Sequence, residues 1–351
     1  NATSLPEVIG RADALFDPRS PSSIAVKLYQ TLTDDGFLEA LRTHAREHSR
    51  RFTWTASARA ALAAIERCMG PDAPRRRAAR PLLAYVSPLP PQRTGIADYS
   101  ARLLRELASH YDIDVVTDQA DVADPWVRAN FRIRTPHWLM TQDAGSRRIL
   151  YHFGNSPCHA WMFGLLQERP GVVMLHDSVL AAVRNWMAQQ AGEPSAFLRE
   201  LYASHGYAAL LYDRRHGRTA TLDHFPMNLD VIEHAIGVMV HSRHAIALAE
   251  RHYAHVAAVR MTVVPFPASR AGGERGVARR LLGFGADDFV VCSFGMLAPT
   301  KLNHRLLRAW LASPLAADPR CRLVFVGERH GGDYGRMLED MLATLPDRSR
   351  V

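Results

Sequence analysis

A histidine and a carboxylate stand side by side directly after one of the most apolar segments of the chain. His176 and Asp177 follow the run GVVML, which predicts a buried β-strand. Imidazole can hydrogen-bond the hydroxyls of a sugar, and a carboxylate can accept a hydrogen bond from an attacking hydroxyl. A histidine satisfied within its own loop is the competing interpretation of His176. Asn155 and Ser156 follow another apolar run, RILYHFG, and are candidates to line the same edge.

A second group of residues has the chemistry of phosphate binding. Thr94 and Gly95 end the loop PLPPQRTG between the first predicted strand and the first predicted helix of a sheet. In open α/β sheets this loop lies at the carboxyl ends of the strands, where ligands bind, and a helix N-terminus there attracts anions. The alternative interpretation is that Gly95 only turns the chain into its helix.

Lys301 is the strongest single candidate for contact with phosphate. Only Lys27 and Lys301 among the 43 basic residues are lysines, and Lys301 comes six residues after Gly295 in SFGMLAPTK. An ammonium group can bind a phosphate and stabilise negative charge that grows on it. Gly327 and Glu328 end the strand-like run CRLVFVGE, at the next strand terminus. A solvated lysine and a simple strand-end turn are the alternatives.

Alternating apolar strands and amphipathic helices must position these residues. From Leu82 onward, LLAYVS, DIDVVT, RILYHF, GVVMLH and MTVVPF predict strands, and Ile96, Tyr99 and Leu103 share a helical face. This order predicts a Rossmann-like, doubly wound parallel sheet. DFVVCSFG, a helix near 303–312 and CRLVFVG predict the start of a second sheet.

The domain organisation follows from these patterns. Residues 1–69 carry helical spacing, with Thr53 or Thr55 as the cap of a last helix, and are typical of the end of a domain. Residues 70–81 contain prolines and arginines without apolar period, which indicates a linker. Residues 82–284 then form one domain, and residues 285–351 begin another that is incomplete.

Composition excludes several classes of protein. The chain has 351 residues, 47% hydrophobic and 22% charged, with a net charge of +8, and acidic residues are interspersed almost throughout, which argues against nucleic-acid binding. No run of about eighteen apolar residues predicts a membrane span. Four widely spaced cysteines without a CxxC pair are expected to be reduced. His152 with His159, and His241 with His244, lack the context of a metal site, so no metal or other cofactor is expected.

Several motifs in order resemble one enzyme family. The first piece, NATSLPEVIGRADALFDP with FTWTASARAAL, resembles the closing segment of the GT-B-fold retaining glycosyltransferases (glycosyl transferase group 1). SPLPPQRTGIADYS, YHFGNSPCHAWM, GVVMLHDSVL, GVMVHSRHA, VVPFP, SFGMLAPTK and LVFVGE resemble the beginning and middle of another copy. The chain therefore resembles a piece across the joint of two tandem modules, in which residues 1–69 are a helical C-terminal remnant of the first.

The resemblance implies a role for each candidate residue. His176 and Asp177 would be catalytic and lie beside the transferred sugar, and Asn155 with Ser156 would bind the acceptor. At the donor site, the phosphates would be bound by Thr94, Gly95 and Lys301. The nucleotide would be bound by Gly295, Gly327 and Glu328. The family has an arginine where this chain has Met296, so one cation of the usual pair is absent at that position.

The function implied is transfer of a hexose, with retention, from a nucleotide sugar to a glycan or lipid-linked acceptor. Such tandem enzymes commonly build cell-surface polysaccharides, which implies a cytoplasmic protein, at the inner face of the membrane through peripheral association. The E-x7-E segment of the family is missing from residues 1–351, so this piece is expected to be inactive alone. Two alternatives stay open: a non-catalytic module that binds glycan or a partner, and a nucleotide-sugar epimerase of the same fold.

Overall fold

The chain forms two compact units in a computed structural model that describes residues 4–69, 80–143, 145–253, 261–267, 273–329 and 331–345. The large unit comprises Arg51–Ala268. The composite unit joins Asn1–Arg50 to Ser269–Val351. The predicted linker over 70–81 lies outside the described residues except for Arg80 and Pro81.

Short strands alternate with helices through most of the described chain. The strands are β1 (Leu82–Val86), β2 (Asp112–Val116), β3 (Arg132–Arg134), β4 (Arg148–Phe153), β5 (Val172–Leu175), β6 (Gly237–Val240), β7 (Met261–Val263), β8 (Phe289–Phe294) and β9 (Cys321–Val326). The helices are α1 (Leu5–Ile9), α2 (Pro21–Thr33), α3 (Asp35–His48), α4 (Trp54–Met69), α5 (Gly95–Leu107), α6 (Pro125–Asn130), α7 (Pro136–Met140), α8 (Met162–Glu168), α9 (Ala181–Gln190), α10 (Pro194–His224), α11 (Leu229–His234), α12 (Arg243–His252), α13 (Arg275–Leu281), α14 (Asn303–Leu311) and α15 (Asp333–Ala343). Gly206 and Gly217 interrupt α10 with non-helical backbone angles.

The large unit is built on a seven-stranded sheet in the order β3-β2-β1-β4-β5-β6-β7, with every neighbouring pair parallel. Side chains of each strand point alternately to opposite faces. Leu83 and Tyr85 contribute to the core beneath α4 and α5, whereas Ala84 and Val86 contribute to the core beneath α8, α11 and α12. The predicted α/β class, with a Rossmann-like parallel sheet covered on both faces, is confirmed.

Local capping explains the helices of the first seventy residues. The Ser20 hydroxyl accepts a hydrogen bond from the backbone N–H of Ser23 at the start of α2, and the Asp34 carboxylate accepts from Phe37 at the start of α3. Thr53 accepts from the N–H of Ala56, so of the two predicted caps it is Thr53 that serves α4. Each cap satisfies one of the N–H groups that a helix start leaves unpaired. The predicted helical character of this segment is confirmed.

The composite unit has a small core of its own. β8 and β9 pair in parallel, from Phe289 opposite Cys321 to Phe294 opposite Val326. Leu307, Trp310 and Leu323 are buried against this pair, and Leu28 and Leu32 of α2 pack on the same cluster. Helix α2 therefore shares a core with strands that follow it by more than 250 residues. The predicted strands DFVVCSFG and CRLVFVG and the helix near 303–312 are confirmed.

A close backbone approach makes Gly327 a sensitive position. A Cβ atom at Gly327 would lie 2.0 Å from the carbonyl oxygen of Gly295, and Gly295 has φ +109. We expect Gly327→Ala to separate the ends of β8 and β9 at a cost of about 1–3 kcal/mol, because neither backbone can move independently. Faster amide hydrogen exchange in residues 289–294 measures the effect. Gly331→Ala is the matched control, since a Cβ at Gly331 meets nothing within 4 Å. Equal exchange in the two variants would contradict this account.

Candidate functional site

The winding of the large sheet reverses between β1 and β4, which lie side by side at its centre. At such a switch point the loops after the two strands diverge and leave a crevice at the carboxyl edge. The loop after β1 leads into α5, whose first turn is capped by Thr94: its hydroxyl accepts from the N–H of Ala97 at 3.0 Å. A Cβ at Gly95 would meet nothing within 4 Å, so the helix start is open. The structure thus places Thr94 and Gly95 at the switch point.

The loop after β4 forms the other side of the switch point. A Cβ at Gly154 would lie 2.2 Å from Ile96 Cδ1 and 3.1 Å from Asp177 Oδ2, so a larger residue there would displace the side chains that α5 and the end of β5 bring to this loop. The side-chain oxygen of Asn155 accepts from the N–H of Val183 at 3.0 Å, which caps α9. The Asn155 side chain therefore also has a structural role.

Ser156 and Asp177 are tied to neighbouring loops by different groups. The Ser156 hydroxyl lies 3.1 Å from His159 Nδ1. The exposed Asp177 accepts from the backbone N–H of Asn155 at 2.8 Å through Oδ2. This bond joins the carboxyl ends of β4 and β5. Sequence-predicted residues from three separate segments, 94–95, 155–156 and 176–177, are consequently brought to one edge of the sheet.

Three histidines form a hydrogen-bonded row across this edge. His152 Nδ1 lies 3.0 Å from His176 Nε2, and His176 Nδ1 lies 3.1 Å from His241 Nε2. His241 Nδ1 lies 3.0 Å from the carbonyl oxygen of Val264. We call His152, His176 and His241 the histidine chain. Both ring nitrogens of His176 are therefore engaged by protein groups, so its ring does not offer a nitrogen to a substrate in this arrangement.

Burial keeps the histidine chain uncharged. The pKa of His152 and the pKa of His176 are lowered well below the ordinary histidine value, first by loss of solvation and then by the neighbouring histidines. Burial lowers the pKa of His241 to about 4, although its bond to the Val264 carbonyl opposes the shift. Tyr99 packs its ring edge-on against His176, with the centroids 4.6 Å apart. The edge thus presents neutral rings at neutral pH.

Sequence reasoning missed His152, His241 and Tyr99 as members of this edge. The sequence does contain a pattern that could have indicated them: a histidine occurs at or one residue before the end of three apolar runs, YHF, MLH and MVH. Leu175 pairs with Val240 in the sheet, so His176 and His241, which directly follow these residues, are neighbours. The proximity of these histidines can be predicted only if the strand order β4-β5-β6 is known, and the sequence does not give that order.

The composite unit holds the other predicted residues. Gly295 lies just after β8, and its virtual Cβ would be 3.9 Å from Lys301 Cε. Lys301 is exposed, and Met296, at the position where the family has arginine, is 47% exposed. Glu328 follows β9, and its backbone carbonyl accepts from the N–H of Leu297. Gly327 has a structural reason for being glycine, since it makes room for the Gly295 carbonyl. Arg329, opposite Leu297, is a cation at this edge that the sequence did not single out.

A cavity of about 180 Å³ opens at the opposite edge of the large sheet, where β4 and β5 begin. Arg147, Arg148 and Arg169 contribute polar walls, and Ile149 and Val172 contribute apolar ones. The guanidinium of Arg147 donates to Asp114, and that of Arg148 pairs with Glu66. None of the residues predicted from the sequence lies in this cavity.

The described part of the chain shows neither a cluster of metal ligands nor a membrane-spanning helix. It contains no group of three or more histidine, cysteine or acidic residues arranged to hold a metal ion. The nitrogens of the histidine chain face one another at hydrogen-bond distance, so they do not converge on a common point. Among the same residues no helix has the length and apolarity needed to cross a bilayer.

Comparison with known proteins gives a partial match. Three curated proteins from Escherichia coli, each described as serotype-specific mannosyltransferase WbdA, are 39% identical to this chain over 69 residues. The similarity is to a glycosyltransferase. The matched segment is 20% of this chain and 8% of each relative's length, so the chain corresponds to a small part of those proteins. No protein-family profile matches the chain.

Acidification is expected to destabilise the large unit between pH 7 and pH 5. The ordinary pKa of histidine is about 6.5, and that of His241 is about 4 in the fold, so between these values the unfolded chain binds more protons than the folded one. Stability is therefore complete above about pH 6.5 and declines as the pH falls towards 4. His241 alone contributes about 2 kcal/mol of the loss between pH 7 and pH 5.

Urea denaturation at pH 7 and pH 5, followed by tryptophan fluorescence, measures this loss. Five of the six tryptophans lie in the large unit, so the signal reports mainly on that unit. Histidine is the side chain whose ordinary titration falls in this interval, so carboxylates contribute little. Unchanged or increased stability at pH 5 would be incompatible with neutral buried histidines.

Proposed function

We propose that this chain is part of a retaining hexosyltransferase that moves a sugar from a nucleotide-activated donor to a glycan or lipid-linked acceptor. The observation that carries the proposal is the gathering of Thr94, Gly95, Asn155 and Asp177 at the switch point of a Rossmann-like sheet. The 69-residue similarity to mannosyltransferases supports the same class of reaction. Mannose is accordingly the first sugar to test.

In the large unit, the carboxyl edge of the sheet recognises the sugar and the acceptor hydroxyl. The exposed Asp177 carboxylate is held in place by the N–H of Asn155, so it is oriented to accept a hydrogen bond from a hydroxyl of the transferred sugar as well as from an acceptor hydroxyl. The open N-terminus of α5 suits an anionic group, because its first N–H groups lack partners within the helix. The neutral histidine chain borders this edge without adding charge.

In the composite unit, Lys301 binds the diphosphate. Its exposed ammonium is close to the end of β8, at the carboxyl edge where α/β sheets bind ligands. As the bond between the sugar and the diphosphate breaks, negative charge grows on the departing phosphate, and a fixed cation stabilises that charge. The acceptor oxygen forms its bond to the same sugar carbon on the face from which the diphosphate departs, and its proton passes to the departing phosphate oxygen. Configuration is thereby retained.

A non-catalytic binding module is the second candidate. Met296 favours it, because a half-exposed thioether occupies a position where the resemblance calls for a phosphate-binding arginine. The two candidates differ in one observable. An enzyme, assayed as the complete protein from which this chain comes, releases nucleoside diphosphate from its donor, whereas a glycan-binding module does not.

Lys301→Ala is expected to weaken binding of GDP and of GDP-mannose by about 10- to 100-fold, the loss of one hydrogen bond to a charged group. Titration calorimetry on residues 1–351 measures both affinities. Arg280→Ala is the matched control, since it removes an exposed cation from α13 and is expected to leave both affinities unchanged. Equal binding by wild type and Lys301→Ala would refute the assignment of Lys301.

A further inference from the structure

The direction of every hydrogen bond in the histidine chain is determined by one carbonyl group. The oxygen of Val264 can only accept, so His241 Nδ1 carries the hydrogen of the bond between them. In a neutral imidazole the other nitrogen is then an acceptor. His241 Nε2 must therefore accept from His176 Nδ1, which lies 3.1 Å away.

The tautomer of His241 determines that of His176, which in turn determines that of His152. Because His176 carries its hydrogen on Nδ1, its Nε2 is an acceptor and receives the hydrogen of His152 Nδ1 at 3.0 Å. All three rings are consequently in the Nδ1–H tautomer. The row ends at His152 Nε2, a buried acceptor that no group reaches within the described residues. Tyr85 stacks beside this ring, with centroids 4.5 Å apart.

Aromatic packing, in addition to hydrogen bonding, holds the ring of His176 in place. His176 lies between the rings of His152 and His241, with centroid distances of 5.3 Å and 5.0 Å, and Tyr99 meets it edge-on. The next residue in the chain is Asp177, whose carboxylate bonds to the loop after β4. Because Asp177 is the adjacent residue, we expect a change in the tilt of His176 to shift the Asp177 carboxylate.

We propose that His241 and His152 are positioning residues that fix His176 in its Nδ1–H tautomer and thereby set the place of Asp177 at the carboxyl edge. His176 then acts as a rigid neutral support, and it neither donates nor receives a proton in the reaction. A proton entering at His152 has no outlet, because the far end of the row is a carbonyl that already accepts a hydrogen bond. Naming the edge a sugar site rests on the proposed function, whereas the tautomer assignment does not.

Nitrogen NMR of the histidine rings, on residues 1–351 without ligand, tests the tautomers directly. In the wild type we expect the His176 signals to show a protonated Nδ1 and an unprotonated Nε2 at pH 7. His176→Gln identifies the signals by their loss. A protonated Nε2 on His176, or a ring protonated on both nitrogens at pH 7, would overturn the proposal.

Two substitutions at position 241 separate positioning from simple packing. His241→Phe keeps a ring beside Tyr99 and Phe266 but removes both hydrogen bonds, so His176 should become a mixture of tautomers. His241→Gln retains a donor and an acceptor and should restore the Nδ1–H form. His244→Phe, an exposed histidine on α12, is the matched control and should leave the His176 signals unchanged. An unchanged His176 tautomer in His241→Phe would refute the role of His241.

The functional consequence is measured as the ratio of affinities for GDP-mannose and GDP, which isolates the contribution of the sugar. We expect His241→Phe to lower this ratio about tenfold, the value of roughly one hydrogen bond, and His241→Gln to restore it. If His241→Phe does not fold, His241→Gln and the wild-type tautomer still decide the question. A wild type that fails to bind GDP-mannose but shows the expected tautomers would contradict the proposed function and leave the tautomer assignment intact. Normal binding with unchanged affinity ratio in His241→Phe would contradict the positioning role.

Discussion

The parallel pairing of β1 with β4 is the constraint on which the chemistry of the large unit depends. Leu83 to Val86 align with Arg148 to Tyr151, so both strands end at the same edge of the sheet. The chain winds away from this pair in opposite directions, and the loops that follow diverge. Every candidate group of the large unit lies at or beside that opening, because parallel strands deliver the residues that follow them to one edge.

The histidine chain places three uncharged rings along this edge of a strongly basic protein. The chain has a net charge of +8, and the cavity at the opposite edge is lined by three arginines together with Asp143 and Glu168. At the carboxyl edge, burial keeps the histidine chain neutral, and the exposed carboxylate of Asp177 is the charge that the predicted residues bring there. Such an environment suits a sugar, which carries many hydroxyls and no charge. It leaves the recognition of phosphate to a helix N-terminus and, in the composite unit, to Lys301.

The sequence predicted the strands and the edge well because both follow from local patterns. Buried parallel strands are continuous apolar runs, and a residue after such a run must lie at the carboxyl edge. This pattern predicts the position of His176, Asp177, Asn155 and Ser156 at the edge, and the structure places them there. The partners of His176 were not found, because His152 and His241 become neighbours only through the strand order. The long α10 was missed for a related reason, since Gly206 and Gly217 interrupt its helical period.

Packing between residues far apart in the chain could not be predicted from local sequence patterns either. Leu28 and Leu32 show helical spacing, but nothing near them in sequence indicates that they pack on Leu307 and Trp310. The assignment of residues 1–69 to a preceding module stays a prediction, as do the boundaries at 82 and 285. Gly327 illustrates the same limit: the family resemblance implies proximity to a nucleotide, and the structure adds a close backbone approach to Gly295 that favours glycine by itself.

Hydrogen exchange with and without saturating GDP-mannose tests the central claim most directly, which is that the carboxyl edge of the large sheet binds the donor sugar. The account predicts slower exchange in residues 94–98, 153–160 and 175–180, which contain the groups at the switch point. Residues 145–149 and 168–172, which contain much of the lining of the cavity at the opposite edge, should exchange at an unchanged rate. Protection confined to the opposite edge, or absent from the carboxyl edge at saturation, would contradict the account.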